Sequence, residues 1–206
     1  EFNFRYDGTY KFQRGNRWGF FPGVSLGWRV SEEDFFKKLL PDMDNLKIRA
    51  SYAKVGDEGD FDAFQYLDGY TSHGSYIMGS GGVTSGMTTV GMANSWLTWY
   101  ESKIMNVGFE VSYHRGLISM EFDWFRRNRS GLPATRSGSL PTVFGESMPQ
   151  ENLNSDINTG FEIAIGHKNK IGEFLYDISA NFSTTRIKYD YVERAASTNM
   201  YDNWRN

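Results

Sequence analysis

The sequence predicts an all-β chain, an antiparallel sheet with one apolar and one polar face. Three observations carry that reading. Short stretches alternate apolar and polar residues at period 2, as in "FPGVSLGWRV", where Val24, Leu26, Trp28 and Val30 alternate with Ser25, Gly27 and Arg29. The connections between those stretches alternate in length, short then long. No stretch approaches the roughly 18–20 uninterrupted apolar residues of a membrane helix, although strands that cross a membrane leave only a weak hydropathy signal because half of their residues face inward.

Taken in order, "FNFRYD" sets Phe2, Phe4 and Tyr6 against Asn3, Arg5 and Asp7, and a polar turn over residues 12–19 leads into the stretch quoted above. "SEEDFFKKLLPDMDN" breaks the period. Ser31 as a cap, acids in the first turn, Lys37 and Lys38 in the last and Pro41 as a stop predict about two turns of helix. "LKIRASY" returns to alternation, with Leu46, Ile48, Ala50 and Tyr52 on one face. Residues 56–95 lose all periodicity and read as a long Gly- and Ser-rich loop. "NVGFEVSY", the turn at residues 114–116 and "ISMEFDW" form a hairpin with Val107, Phe109, Val111, Tyr113, Ile118, Met120, Phe122 and Trp124 on its apolar face. A second long loop spans about residues 129–156 and holds three of the five prolines. "GFEIAIG", the turn at residues 167–172 and "FLYDISANFS" complete the pattern with Phe161, Ile163, Ile165, Phe174, Tyr176, Ile178, Ala180 and Phe182.

Composition narrows the function classes. The 206 residues carry a net charge of -3 and 23% charged residues, which implies no nucleic-acid partner. The absence of cysteine excludes disulfides, thiol chemistry and Cys-ligated metal. The polar face holds small and polar residues, with glycine recurring at Gly27, Gly108, Gly160 and Gly166, which suits a crowded, hydrated lumen. Tyr and Trp near strand ends suit interfacial girdles. Pattern alone therefore supports an outer-membrane barrel wall, with a soluble β-sandwich as the alternative.

Candidate sites are few. Asp57, Asp60 and Asp62 offer oxygens to a hard cation such as calcium, but lack the spacing of a helix–loop–helix site, and a solvated loop is the better reading. His73, His114 and His167 have no Ser, Asp or second His at useful spacing, and no metal or other cofactor is expected. Glu110, Glu121, Asp123 and Glu162 could suggest a carboxylate pair for glycoside cleavage. On adjacent strands they fit better as lumen-lining acids paired with Arg29, Lys47 or Arg49, and no enzyme activity is expected. The loop residues Phe61, Phe64, Tyr66, Asp68 and Tyr70 could stack on sugar rings or hold a peptide, or could pack the loops together.

"RYDGTYKF", "RWGFFPGVSLGWRVSEEDFF" and "LKIRASYAKVGDEG" resemble consecutive barrel motifs of the SusC/RagA family of TonB-dependent transporters. Arg5, Asp7, Gly8, Arg17, Trp18, Gly19, Phe21, Pro22, Ser25, Gly27, Trp28, Arg29, Leu46, Lys47, Arg49, Ser51 and Tyr52 match by position. Later matches are looser: Trp99 and Asn106 fit, while Tyr100 stands where Glu is usual. Asn152, Asn158, Gly160 and Glu162 fit, while Asn154 replaces a usual Gly.

The resemblance implies an outer-membrane importer of glycans, oligosaccharides or peptides, with a SusD-like surface lipoprotein as lid and TonB as energy source. Residues 1–206 would be a partial β-barrel domain, about seven strands of a roughly twenty-two-stranded barrel. Signal peptide, TonB-contacting segment, plug and closing C-terminal strand would lie elsewhere, and the open sheet edges would pair with the remainder of the same barrel. Short turns would be periplasmic and long loops extracellular, so Ser80 is expected outside the cell and Gly116 on the periplasmic side. The competing hypothesis is a soluble or surface β-sheet binding module without transport. The barrel reading further expects one curved sheet of neighbouring hairpins, apolar on its lipid-facing side, with no closed core of its own.

Overall fold

The computed structural model describes residues 1–79, 81–136, 143, 145–194 and 199. Among them run β1 (Phe2–Gly8), β2 (Trp18–Arg29), α1 (Asp34–Leu39), β3 (Met43–Asp57), β4 (Tyr70–Met78), β5 (Gly82–Thr89), β6 (Tyr100–Tyr113), β7 (Ile118–Thr135), β8 (Gln150–Ile171) and β9 (Phe174–Tyr191). One seven-stranded sheet has the order β1-β2-β3-β6-β7-β8-β9, every neighbour antiparallel, and β4-β5 form a separate two-stranded sheet.

The register lines up the predicted faces across the whole sheet. One rank reads Trp28–Ile48–Phe109–Phe122–Ile163–Phe182 and the next Leu26–Ala50–Val107–Trp124–Phe161. Rings on this outer face stack between strands, Phe109 on Phe122 at 5.4 Å, Phe122 near Phe161 at 6.2 Å and Phe161 near Phe182 at 5.9 Å. Such cross-strand aromatic pairs stabilise a ladder beyond their area. Yet Leu26 and Ile178 stay 71% and 65% exposed, so among the described residues no second layer covers this face. The apolar belt ends in charge toward the long-loop end, at Lys54, Lys103, Arg126 and Arg186. On β1 and β2 it runs farther, to Tyr6 stacked on Trp18 at 5.1 Å. A belt slanting across the ladder is what strands tilted to a barrel axis produce.

Several elements depart from the sequence reading. Ser31 caps no helix: it is buried in a 3-10 turn at Val30–Glu32, and α1 starts after Glu33 without a side-chain cap. Val30 is buried in that turn instead of continuing the apolar stripe of β2. The segment read as one loop at 56–95 contains the β4-β5 hairpin, so His73 lies in a strand; Ser80 lies outside the described residues. β7 and β8 run deep into the segment read as a loop at 129–156. A register shift around Ser130, Leu132 and Pro133, with Gly131 at φ +76°, hides the period there. His167 is a strand residue stacked on Tyr176 at 5.5 Å, and the turn is shortened to Gly172–Glu173, with Gly172 at φ +63°.

The expectation of no closed core needs a correction. Phe12, Phe21, Phe61, Leu97, Trp99 and Tyr100 form a small buried cluster at the long-loop end of the inner face. Phe21 shares the phase of Ser25, Gly27 and Arg29, so "FF" at 20–21 places one ring on each side of the wall. Its ring lies over Gly19 and Gly56, where an added Cβ would come within 2.3 and 2.0 Å of it.

Candidate functional site

The inner face is built by the complementary ranks of the same ladder. Gly27, Arg49, Gly108, Asp123, Glu162 and Ser183 lie in one rank, and Arg29, Lys47, Glu110, Glu121, Ala164 and Asn181 in the next. Lys47, Arg49, Glu110, Glu121 and Asp123 form one network. The Arg49 guanidinium donates to Glu110, to Asp123 and, at 2.6 Å, to Glu121, while Lys47 Nζ stands 3.7 Å from Glu110. A planar fork with several N–H donors serves several carboxylates at once in a fixed geometry, whereas an ammonium is a compact point charge on a flexible stem. Glu162 shares the face but stands exposed beside this network, and Arg29, at the short-turn end of β2, makes no ion pair within the described residues. Glu121, Asp123, Glu162, Asn181 and Ser183 line an open hollow of 540 Å³.

Gly108 makes this network possible. It separates Arg49 on β3 from Asp123 on β7, and a Cβ there would stand 2.3 Å from Asp123 Oδ1 and 2.6 Å from the Phe122 carbonyl. Gly27, in the same rank, has only Lys47 Cε at 3.7 Å. Gly108→Ala should therefore destabilise the folded barrel by about 1–3 kcal/mol, while Gly27→Ala stays within about 0.5 kcal/mol, as read from denaturant midpoints of the full-length protein. Equal effects would mean that the Arg49 network does not depend on the gap.

At the long-loop end, hydrogen bonds clamp three connections into a shelf over the aromatic cluster. Lys11 Nζ donates to the carbonyls of Glu58 and Phe61 at 3.0 and 2.9 Å. Arg17 donates to the Phe12 carbonyl at 2.9 Å and to the Tyr66 hydroxyl at 3.2 Å, and Trp99 Nε1 donates back to the Arg17 carbonyl. Asn152 joins Thr98 to Gly131 through bonds of 2.8 to 3.0 Å. Beneath it, Arg129 holds Asp156, whose residue is 3% exposed, in a two-pronged pair of the kind a buried carboxylate requires.

The sequence-predicted residues separate here. Phe61 is 2% exposed and meets Phe12 edge-on at 5.4 Å, so its ring supports the shelf from inside. Of the others, Tyr66 accepts from Arg17 with Phe64 beside it, Asp68 is exposed, and Tyr70 is an exposed residue of β4 paired with Thr89. Phe64 takes a left-handed conformation at φ +64° and lies 5.5 Å from the exposed ring of Tyr10, a partner the sequence reading missed, and 6.2 Å from Tyr66. A bulky residue held in that region of backbone space is uncommon and marks a constrained site. The three acids are not gathered as ligands: Asp57 accepts from Gly59 N–H and the Tyr100 hydroxyl, both at 2.7 Å, and the described residues hold no cluster of three metal-binding side chains. Asp57 and Tyr100 lie beyond the apolar belt. The Gly59 and Tyr100 hydrogen bonds hold the Asp57 carboxyl below the usual range, and burial together with Asp57 pushes the Tyr100 phenol up.

The model of the TonB dependent receptor-like β-barrel family matches residues 1–204. The chain belongs to that family. It is 31% identical over 184 residues to the TonB-dependent receptor SusC of Bacteroides thetaiotaomicron, which covers 88% of this chain and 18% of SusC. It is also 31% identical over 182 residues to the TonB-dependent receptor P39 of Formosa agariphila, covering 87% and 16%. The fold matches the RagAB peptide importer in its 'closed-closed' state, with TM-score 0.75 and 18% identity over 91% of this chain and 20% of that one. The 'open-open' state gives 0.76 and 18% over 93% and 20%. The chain thus spans less than a fifth of the curated receptors it matches.

The receptor barrel places this wall in the outer membrane, and the expected orientation puts the long loops outside the cell. TonB-dependent receptors are transport proteins, not enzymes. A cysteine at Thr84, in β5, should react with an impermeant thiol reagent on intact cells. One at Glu173, in the β8–β9 turn, should react only after the outer membrane is opened. The opposite pattern would invert the orientation.

Proposed function

We propose that the chain is part of the wall of a SusC-type importer that takes up glycans, oligosaccharides or peptides with a SusD-like surface lipoprotein, energised by TonB through a segment outside these residues. The observation that supports this most is the family match across the unclosed sheet: its edges β1 and β9 need the remainder of the barrel, because unpaired backbone groups are not tolerated in hydrocarbon. The RagAB neighbours are described as peptide importers, and SusC is a relative in sequence. Inside, the Lys47–Arg49–Glu110–Glu121–Asp123 network, with Arg29 and Glu162 beside it, lines the lumen. At the mouth, Phe64, Tyr66, Asp68 and Tyr70, now joined by Tyr10, form the substrate-facing surface of the shelf. Aromatic faces with a neighbouring carboxylate suit the apolar face and hydroxyls of a sugar ring, or a peptide side chain.

The test is uptake by cells carrying the full-length protein. Deleting it, or removing TonB, should abolish growth on the imported oligomer. Tyr10→Ala with Phe64→Ala should raise the concentration needed for half-maximal uptake about tenfold, at two stacked rings of about 0.5–1.5 kcal/mol each, and leave barrel assembly intact. Unchanged uptake in the double variant would remove the shelf from the substrate path, and TonB-independent uptake would overturn the importer reading.

A further inference from the structure

The outer face of the wall ends differently at its two ends. Toward the long loops, two successive outward ranks read Tyr52–Met105–Arg126–Thr159–Arg186 and Lys54–Lys103–Asn128–Ile157–Lys188, five cations and no acid. Of the five, only Lys54 forms an ion pair among the described residues, with Glu101 at 2.6 Å, and Arg126 donates to Asn128 at 3.1 Å. Lys103, Arg126, Arg186 and Lys188 are exposed. Toward the short turns, the last rank that spans β3 to β9 is Met43–Tyr113–Ile118–His167–Ile178, with no Lys or Arg. Cations that only carry a stem out of hydrocarbon would suit either end of the belt, since snorkelling needs nothing but nearby water. Charge confined to one end matches the chemistry of one leaflet, because clustered Lys and Arg beside a membrane surface attract anionic headgroups.

The cluster also has a centre. Arg126 on β7 and Arg186 on β9 flank Thr159 on β8, two strand spacings or about 10 Å apart. Thr159 is short enough to leave the gap between the two arginines open, and it adds a hydroxyl. Two guanidinium forks can reach one phosphate there from opposite sides, a group that arginine recognises in two-pronged fashion. One rank deeper lie Trp124, Phe161 and Thr184, and then Phe122, Ile163 and Phe182. An acyl chain hanging from that phosphate would run along the rings that already stack across the belt.

We propose that Arg126, Thr159 and Arg186, with Lys103 and Lys188 beside them, form a site for the phosphate of a membrane lipid whose acyl chains lie on the belt beneath. The site depends on the barrel being in a membrane and not on what the barrel imports. The test titrates the purified full-length barrel in neutral detergent with dioleoylphosphatidic acid and follows bound lipid by native mass spectrometry. Arg126→Gln with Arg186→Gln should raise the apparent Kd at least about tenfold. Thr159→Asp, which sets a carboxylate between two intact arginines, should do the same. Heat-modifiable migration shows that each variant is folded. Arg14→Gln with Lys38→Gln removes as much charge away from the patch and should bind as wild type. An equal loss in that control would reduce the effect to net charge and overturn the site, as would wild-type affinity in either patch variant. Dioleoylphosphatidylcholine should bind at least about tenfold more weakly than phosphatidic acid, since its headgroup carries no net charge. Equal binding of the two would show acyl packing without headgroup recognition and overturn the site. Inorganic phosphate in the millimolar range should leave the lipid bound; displacement would mark a free-anion site and overturn the lipid as its occupant.

Discussion

Replacing Ile163 by Arg should destabilise the folded barrel by about 2–4 kcal/mol, whereas Glu162→Arg, one residue away, should change stability far less. Ile163 lies in the rank Trp28–Ile48–Phe109–Phe122–Ile163–Phe182, in the middle of the apolar belt and away from the charged residues that end it. A guanidinium there must either enter hydrocarbon or drag water and headgroups toward the centre of the bilayer. Glu162 points the other way, into the hollow beside Asp123, where its replacement meets water and carboxylates. The comparison uses full-length protein in bilayers, with unfolding followed by loss of heat-modifiable migration against denaturant. Equal costs at the two positions would show that the sheet is not lipid-exposed on the face that the register assigns.

That face was legible in the sequence because lipid and lumen impose opposite chemistry on successive residues, and period 2 records the contrast directly. Leu46 to Tyr52 and Ile118 to Trp124 read cleanly for this reason. The β4-β5 hairpin was illegible for the complementary reason: with both faces exposed, nothing distinguishes Ser75 from Tyr76, and alternation has no asymmetry to report. The upper parts of β7 and β8 were hidden by the irregularity at Gly131 and Pro133, which shifts the phase by a residue within an otherwise continuous ladder. At the inner face, the candidate list of Lys47, Arg49, Glu110, Glu121 and Asp123 came together as a network because alternation placed all five on one side. The gap at Gly108 needed the register, since only the pairing of β3 with β6 and β6 with β7 shows what must pass over it. Phe21 was the missed signal for the shelf. An aromatic in the polar phase of a strand has to bury against something on the lumen side, and Trp99 meets it edge-on at 5.4 Å.

The shelf should prove to be a cooperative unit of its own. Phe61→Ala is expected to cost about 3–5 kcal/mol locally, the range for truncating a fully buried Phe whose site cannot collapse. The site is held open by neighbours that are fixed from elsewhere. Phe12 is anchored through its carbonyl by Arg17, Trp99 through its indole by the Arg17 carbonyl, and Tyr100 through its hydroxyl by Asp57. Those bonds stop the surrounding rings from moving in to fill the void, so the loss includes both transfer and cavity contributions. The wall beneath is a continuous ladder from β1 to β9 whose bonds do not pass through Phe61. Hydrogen exchange on the full-length protein separates the two. In Phe61→Ala, the amides of Asn94 and Thr98, which donate to Gln65 and Asn152, should lose protection by about a hundredfold or more, while those of β6 to β8 at the level of Phe109 keep theirs. Loss of protection along the ladder to the same degree would mean that shelf and wall open together. The substrate contacts proposed at Phe64 and Tyr66 would then depend on the whole barrel, not on a locally rigid platform.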